Sequence, residues 1–150
     1  MPQYATYIEQ LNDIEQLTVA HYYDVFLKKR FVDNIVFIGD AAHALSPHLS
    51  SGTNLALLDA KVLAESLQAH EDISIALRTY NDQRESQIKF YYHLSKWITP
   101  FFQSKKNNAF YRDYLLKELM KVPFVNKMML QTILGIKAGL FSTIDKKYYL

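Results

Sequence analysis

The sequence predicts a mainly α-helical protein with a few strands. Two observations carry that reading. Beyond residue 50 the apolar residues recur three and four apart almost without a break, the period of helices that bury one face. Before residue 50 that period gives way to two short β-branched and aromatic runs, residues 18–26 (TVAHYYDVF) and residues 35–38 (IVFI).

Taken in order, residues 4–17 place Tyr4, Tyr7 or Ile8, Leu11, Ile14 and Leu17 on one side of an amphipathic helix. Residues 18–26 read as a strand. Lys28, Lys29 and Arg30 read as a solvated turn, because three charges steer little at physiological salt. Residues 35–38 read as a buried strand, closed by Gly39 and Asp40. A polar loop with Pro47 and Gly52 leads to a helix from about Thr53 to Leu67. Leu55, Leu58, Val62 and Leu67 share its apolar side, and Ala56, Ala60 and Ala64 allow a neighbour to approach. Residues 68–73 form a turn. A long helix follows over residues 73–98, with a polar middle at residues 81–87 facing solvent and Pro100 bringing it toward its end. Residues 111–120 form another helix, stopped by Pro123, and residues 125–134 a last one, loosened by Gly135 and Gly139.

Composition narrows the function. A chain of 150 residues that is 49% hydrophobic is large enough for one domain with a sizeable core. A net charge of +2 is too mild to argue for a nucleic-acid partner. The absence of cysteine excludes disulfides, thiolate metal sites and cysteine nucleophiles. Residues 1–15 are too polar and acidic for a signal peptide. The greasiest stretch, residues 128–141, is too short for a transmembrane segment and is interrupted by Gln131 and Lys137. A cytoplasmic protein is the expectation.

The candidate chemistry lies where the apolar run meets the loop. Open α/β sheets hold ligands at the C-terminal ends of their strands. Gly39 there lets a ligand approach the backbone, and Asp40 can accept charge-assisted hydrogen bonds from sugar-like hydroxyls. Equally, Asp40 could cap the turn that follows. Gly52, Thr53 and Asn54 open a helix whose free N–H groups and dipole suit an anion or an electron-rich ring edge. Ordinary capping by Ser50, Ser51 or Thr53 is the competing reading, and for these residues alone it is favoured. Asp40, His43, His48 and Asp59 lack the spacing of a metal motif, and no serine lies in a nucleophile-elbow context, so no metal ligand and no catalytic residue is assigned.

In order, these residues carry a resemblance. Gly39, Asp40, Ala41, Ala42, His43 and Ala44, then Pro47, then Gly52 and Asn54, then Asp59 and Ala60, resemble a flavin-contacting motif. It is that of the FAD-dependent aromatic-ring monooxygenases, the para-hydroxybenzoate hydroxylase-like superfamily. The resemblance implies that Asp40 holds the ribityl hydroxyls of FAD and that Pro47 lies along the isoalloxazine edge. Gly52, Thr53 and Asn54 would present N–H groups to the pyrimidine end of the ring. His43 and Asp59 would fix the loop and the helix. In such enzymes NADPH or NADH reduces the flavin, which then uses oxygen to modify a small aromatic or other organic substrate; the organic chemistry is the cofactor's.

Two departures qualify the match. Ser50 and Ser51 stand where a glycine and a glutamine are usual, and a positive φ at position 50 would strain serine by about 1 kcal/mol. The four glycines, at 39, 52, 135 and 139, form no G-x-G-x-x-G for the ADP half of FAD. The chain therefore resembles the C-terminal fragment of an α/β, Rossmann-like FAD-binding monooxygenase. Residues 1–30 would end the substrate domain, residues 31–70 would supply the flavin edge, and residues 71–150 would be a helical tail. Alone it is expected to be catalytically incomplete, with a missing N-terminal half or a homo-oligomeric partner. The alternative is a flavin-free helical interaction module derived from such an enzyme.

Overall fold

In chain order the elements are strand β1 (Phe31–Val32), strand β2 (Ile35–Val36) and helices α1 (Asp40–His43), α2 (Gly52–Ala69), α3 (Ile73–Phe102) and α4 (Pro123–Ile133). Single 3-10 turns lie at Ile14–Gln16 and Pro47–Leu49. The structure, a computed structural model, describes residues 9–19, 21, 23–102, 114, 117–145 and 148.

Helices α2 and α3, joined by the short turn at residues 70–72, pack along their length and form the core. Leu55, Leu58 and Val62 of α2 and Ala76, Leu77, Tyr80, Ile88 and Tyr91 of α3 are buried where the two helices pack. Each fully buried leucine or isoleucine stabilises this interface by about 1.5–3 kcal/mol. The loop before α2 joins the core through Leu49, which packs with Leu55 and Tyr91. His48 stacks on Phe102 at 5.1 Å, so the far end of α3 also braces this loop. After α4 the chain turns back in an isolated bridge between Lys137 and Thr143.

Several expectations need correction. Of the helix expected over residues 4–17, residues 4–8 lie outside the described residues, and the rest holds only the 3-10 turn Ile14–Gln16. Leu11, Ile14 and Leu17 are exposed, so no packing rewards a longer helix, and Asp13 and Gln16 form a capping box that sets the turn. Residues 18–26 are no strand where described. Instead Val25 N–H donates to the Ala44 carbonyl at 2.8 Å and Leu27 N–H to the Ala42 carbonyl at 2.9 Å, so this segment runs beside α1.

The run at residues 35–38 is not a buried strand. Only Ile35 and Val36 are strand, paired antiparallel with Val32 and Phe31, and Ile35 is 64% exposed. Arg30, expected in a solvated turn, is fully buried, and its backbone N–H and Nη1 both reach Asn81 Oδ1 at 3.1 and 3.2 Å. Leu67, Ala60 and Ala64 face solvent, whereas Ala56 does make a close approach, to Gly39.

The polar middle of α3 is divided: Asp82, Gln83 and Ser86 face solvent as expected, but Arg84 and Gln87 are buried, only 2% and 1% exposed. Pro100 lies within α3, which runs to Phe102. Of the helix expected over residues 111–120, residues 111–113, 115 and 116 lie outside the described residues, and residues 117–119 are helical. Pro123 starts α4, where a missing N–H is harmless at the first helical position.

Candidate functional site

Two turns that need unusual backbone frame the site. Gly39 caps α1 with φ 55° and ψ −138°, a conformation that side chains oppose. A Cβ at Gly39 would lie 3.1 Å from the Cβ of Ala56, so the turn also presses closely on α2. Ser50 adopts φ 49° and ψ 23°, the left-handed region. The positive φ anticipated at that position is present, and serine bears the strain of about 1–2 kcal/mol.

Between these turns the chain leaves polar groups open. Asp40 is the first residue of α1 and is exposed, and among the described residues it has no hydrogen-bond or ion-pair partner. Gly39 occupies the N-cap position, so capping does not account for Asp40. Ser51 is the N-cap of α2 but makes no side-chain capping bond, which leaves the first-turn N–H groups without that acceptor. Gly52 has no atom within 4 Å of where a Cβ would stand, so this helix start is open to a ligand.

These groups line one cleft of about 640 Å³, within the range that accommodates a sizeable organic ligand. Asp40, Pro47, Ser50, Gly52 and Thr53 form one side, and His21, Tyr23 and Val25, from the segment that runs beside α1, form another. Of the six residues selected from sequence, the structure brings Asp40, Pro47, Gly52 and Thr53 to this cleft. Gly39 is buried behind Asp40. The Asn54 side chain turns away, and its Nδ2 donates to the Ile133 carbonyl at 3.1 Å.

Behind the cleft lies a polar interior. Asp59 is fully buried, and its Oδ2 accepts from the Gly39 N–H at 2.9 Å and from His43 Nε2 at 2.5 Å. Its Oδ1 accepts from Arg84 Nε at 2.7 Å. Burial disfavours this carboxylate, but the His43 hydrogen bond and the Arg84 charge outweigh that and hold its pKa below the usual aspartate value. Tyr80 donates to the Phe37 carbonyl at 3.2 Å, and burial, with Asp59 nearby, pushes its pKa up. Arg84 and Gln87 were missed as interior groups because the residues around them are polar. Their spacing from Leu77, Ile88 and Tyr91 follows the buried stripe of α3 and could have revealed them.

A family model described as FAD binding domain matches residues 5–92. Kynurenine 3-monooxygenase of Salinispora tropica is 46% identical over 56 residues, which are 37% of this chain and 12% of that protein. The 3-hydroxy-4-methyl-anthranilyl-[aryl-carrier protein] 5-monooxygenase of Streptosporangium sibiricum is 38% identical over 69 residues, 46% of this chain and 20% of that protein. The FAD-dependent monooxygenase nodM of Hypoxylon pulicicidum is 30% identical over 78 residues, 45% of this chain and 17% of that protein. The matches thus span a fifth or less of these relatives' length. No solved structure matches the chain. No helix among the described residues is long and apolar enough to cross a membrane.

Proposed function

Since the chain belongs to the FAD binding domain family, we propose that its cleft takes the ribityl and isoalloxazine end of FAD, as the C-terminal part of a flavin-dependent monooxygenase. One observation carries this reading. Asp40, Pro47 and the uncapped start of α2 line the same cleft. The residues fit the group. The Asp40 carboxylate accepts from ribityl hydroxyls, Pro47 and Val25 offer apolar surface to a flat ring, and the Gly52, Thr53 and Asn54 N–H groups, with the helix dipole, meet its electron-rich edge. Asn54 serves there through its backbone, because its side chain is committed to Ile133.

Bound FAD would supply redox chemistry, taking electrons from NADH or NADPH and using oxygen to oxidise an organic substrate. This chain's residues hold and orient it. Asp59 fixes the Gly39 turn from which Asp40 projects, and Tyr23 and Val25 wall the same cleft. Residues 1–30 then complete a substrate-side segment, residues 31–70 the flavin edge and residues 71–150 a helical support.

No glycine-rich loop for the pyrophosphate occurs in the sequence. Affinity of this chain for FAD is accordingly weak, and turnover needs a further part that carries the ADP site. The exposed Ile35 of β2 and Ile38 just after it are consistent with such a part packing there. Titration of the full 150-residue chain with FAD, followed by flavin fluorescence, tests the reading. Saturable quenching that Asp40→Ala weakens tenfold or so is the expected result. No response at any concentration, or quenching indifferent to Asp40→Ala, sinks it.

A further inference from the structure

From Asp59 a run of buried hydrogen bonds leads out of the family-matched region. Arg84 joins Asp59 at 2.7 Å, Arg84 Nη1 donates to Gln87 Oε1, and Gln87 Nε2 donates to the Gly135 carbonyl at 2.5 Å. Two neighbouring carbonyls also accept side-chain bonds, the first buried and the second exposed. Tyr91 donates to Thr132 at 2.8 Å and Asn54 to Ile133 at 3.1 Å. A helix leaves its last carbonyls without internal partners. Side chains of α2 and α3 therefore cap the end of α4 from outside.

The fit at this end is close. Gly135 has φ 74°, and a Cβ there would lie 2.9 Å from the Cβ of Asn54. Asn54 belongs to the first turn of α2, whose Gly52 and Thr53 line the cleft, while Asp59 holds the Gly39 turn next to Asp40. The turn at residues 132–135 thus reaches both supports of the cleft, one directly and one through Gln87 and Arg84.

We propose that this turn is a clamp on the cleft, and that Gln87 and Asn54 are the positioning residues that transmit it. The ligand rests on the FAD reading above; the geometry does not. Hydrogen bonds in a buried, low-dielectric chain resist displacement together, so loosening one end shifts the other.

The test uses the full chain with two substitutions outside the cleft. Gln87→Met removes the link to Gly135, and Gly135→Ala drives a methyl against Asn54. Amide hydrogen exchange is read at Gly39 and at Leu55, whose N–H donates to the Ser51 carbonyl at 3.0 Å, and FAD is titrated in parallel. Both variants should speed exchange at these two amides roughly fivefold or more and weaken FAD to a similar degree, while Val62 and Leu77 keep their protection. Unchanged exchange at Gly39 and Leu55, or an equal acceleration throughout α2 and α3, overturns the clamp. A wild-type chain that binds no FAD removes the flavin reading and leaves the exchange at Gly39 to decide the clamp.

Discussion

The cleft and the interior behind it use the same residue types in opposite ways. Asp59 and Asp40 lie on either side of the Gly39 turn. Asp59 is fully buried and accepts from Gly39, His43 and Arg84. Asp40 is exposed and has no partner among the described residues. The helix ends differ likewise. At the end of α4 the Thr132 and Ile133 carbonyls are met by Tyr91 and Asn54, and that of Gly135 in the turn beyond it by Gln87, while the start of α2 has no side-chain cap. The buried groups at Asp59 and at the end of α4 hold the scaffold through their partners, whereas Asp40 and the start of α2 face the cleft without side-chain partners among the described residues.

The largest test of that contrast is to remove each carboxylate. Asp59→Ala strands Arg84 without its charge partner in the interior and should destabilise the fold by about 3–5 kcal/mol in urea unfolding. Asp40→Ala should change stability by no more than about 0.5 kcal/mol. Equal losses in the two variants would break the comparison.

Acid should act on the same group with a smaller effect. The pKa of Asp59 is lower in the folded state than in the unfolded chain, so the unfolded state binds more protons as pH falls below about 4. The stability that Asp59 contributes is complete above that pH and is lost as pH drops through its folded-state value. Urea midpoints measured from pH 7 to pH 3 should therefore fall at the acid end, and Asp59→Asn should flatten the decline. An unchanged slope in that variant would assign the acid response elsewhere.

The two strained turns offer milder tests. Gly39→Ala combines an unfavourable φ of 55° with a methyl 3.1 Å from Ala56, and should cost about 1–2 kcal/mol. Ser50→Gly works in the other direction. Relief of the strain at φ 49° should exceed the added entropy of the unfolded chain and stabilise the protein by up to about 1 kcal/mol in thermal unfolding. A loss on Ser50→Gly would mean that the serine side chain supports the loop.

Much of this was legible before any coordinates. The stripe of Leu55, Leu58 and Val62 defined α2, and of the residues selected from the motif Asp40, Pro47, Gly52 and Thr53 line one cleft. The strained position at Ser50 showed as a departure from the resembling motif. The interior polar groups were not legible in the same way. Arg84 and Gln87 sit among Asn81, Asp82, Gln83 and Glu85, and average polarity pointed that segment toward water. Spacing was the better guide there, because Leu77, Tyr80, Arg84, Ile88 and Tyr91 keep helical period on one face. Burial also failed as an inference at residues 35–38. An apolar run reads as an interior strand whether or not its neighbours are present, and among the described residues β2 pairs only with β1.

The central claim is that the cleft contacts the ribityl and ring portion of FAD and not its ADP half. Fluorescence titration of the wild-type chain with riboflavin, repeated with FAD and with ADP as competitor, tests it most directly. Riboflavin should bind about as well as FAD, and ADP should displace neither. Displacement by ADP, or binding of FAD without binding of riboflavin, would contradict the account.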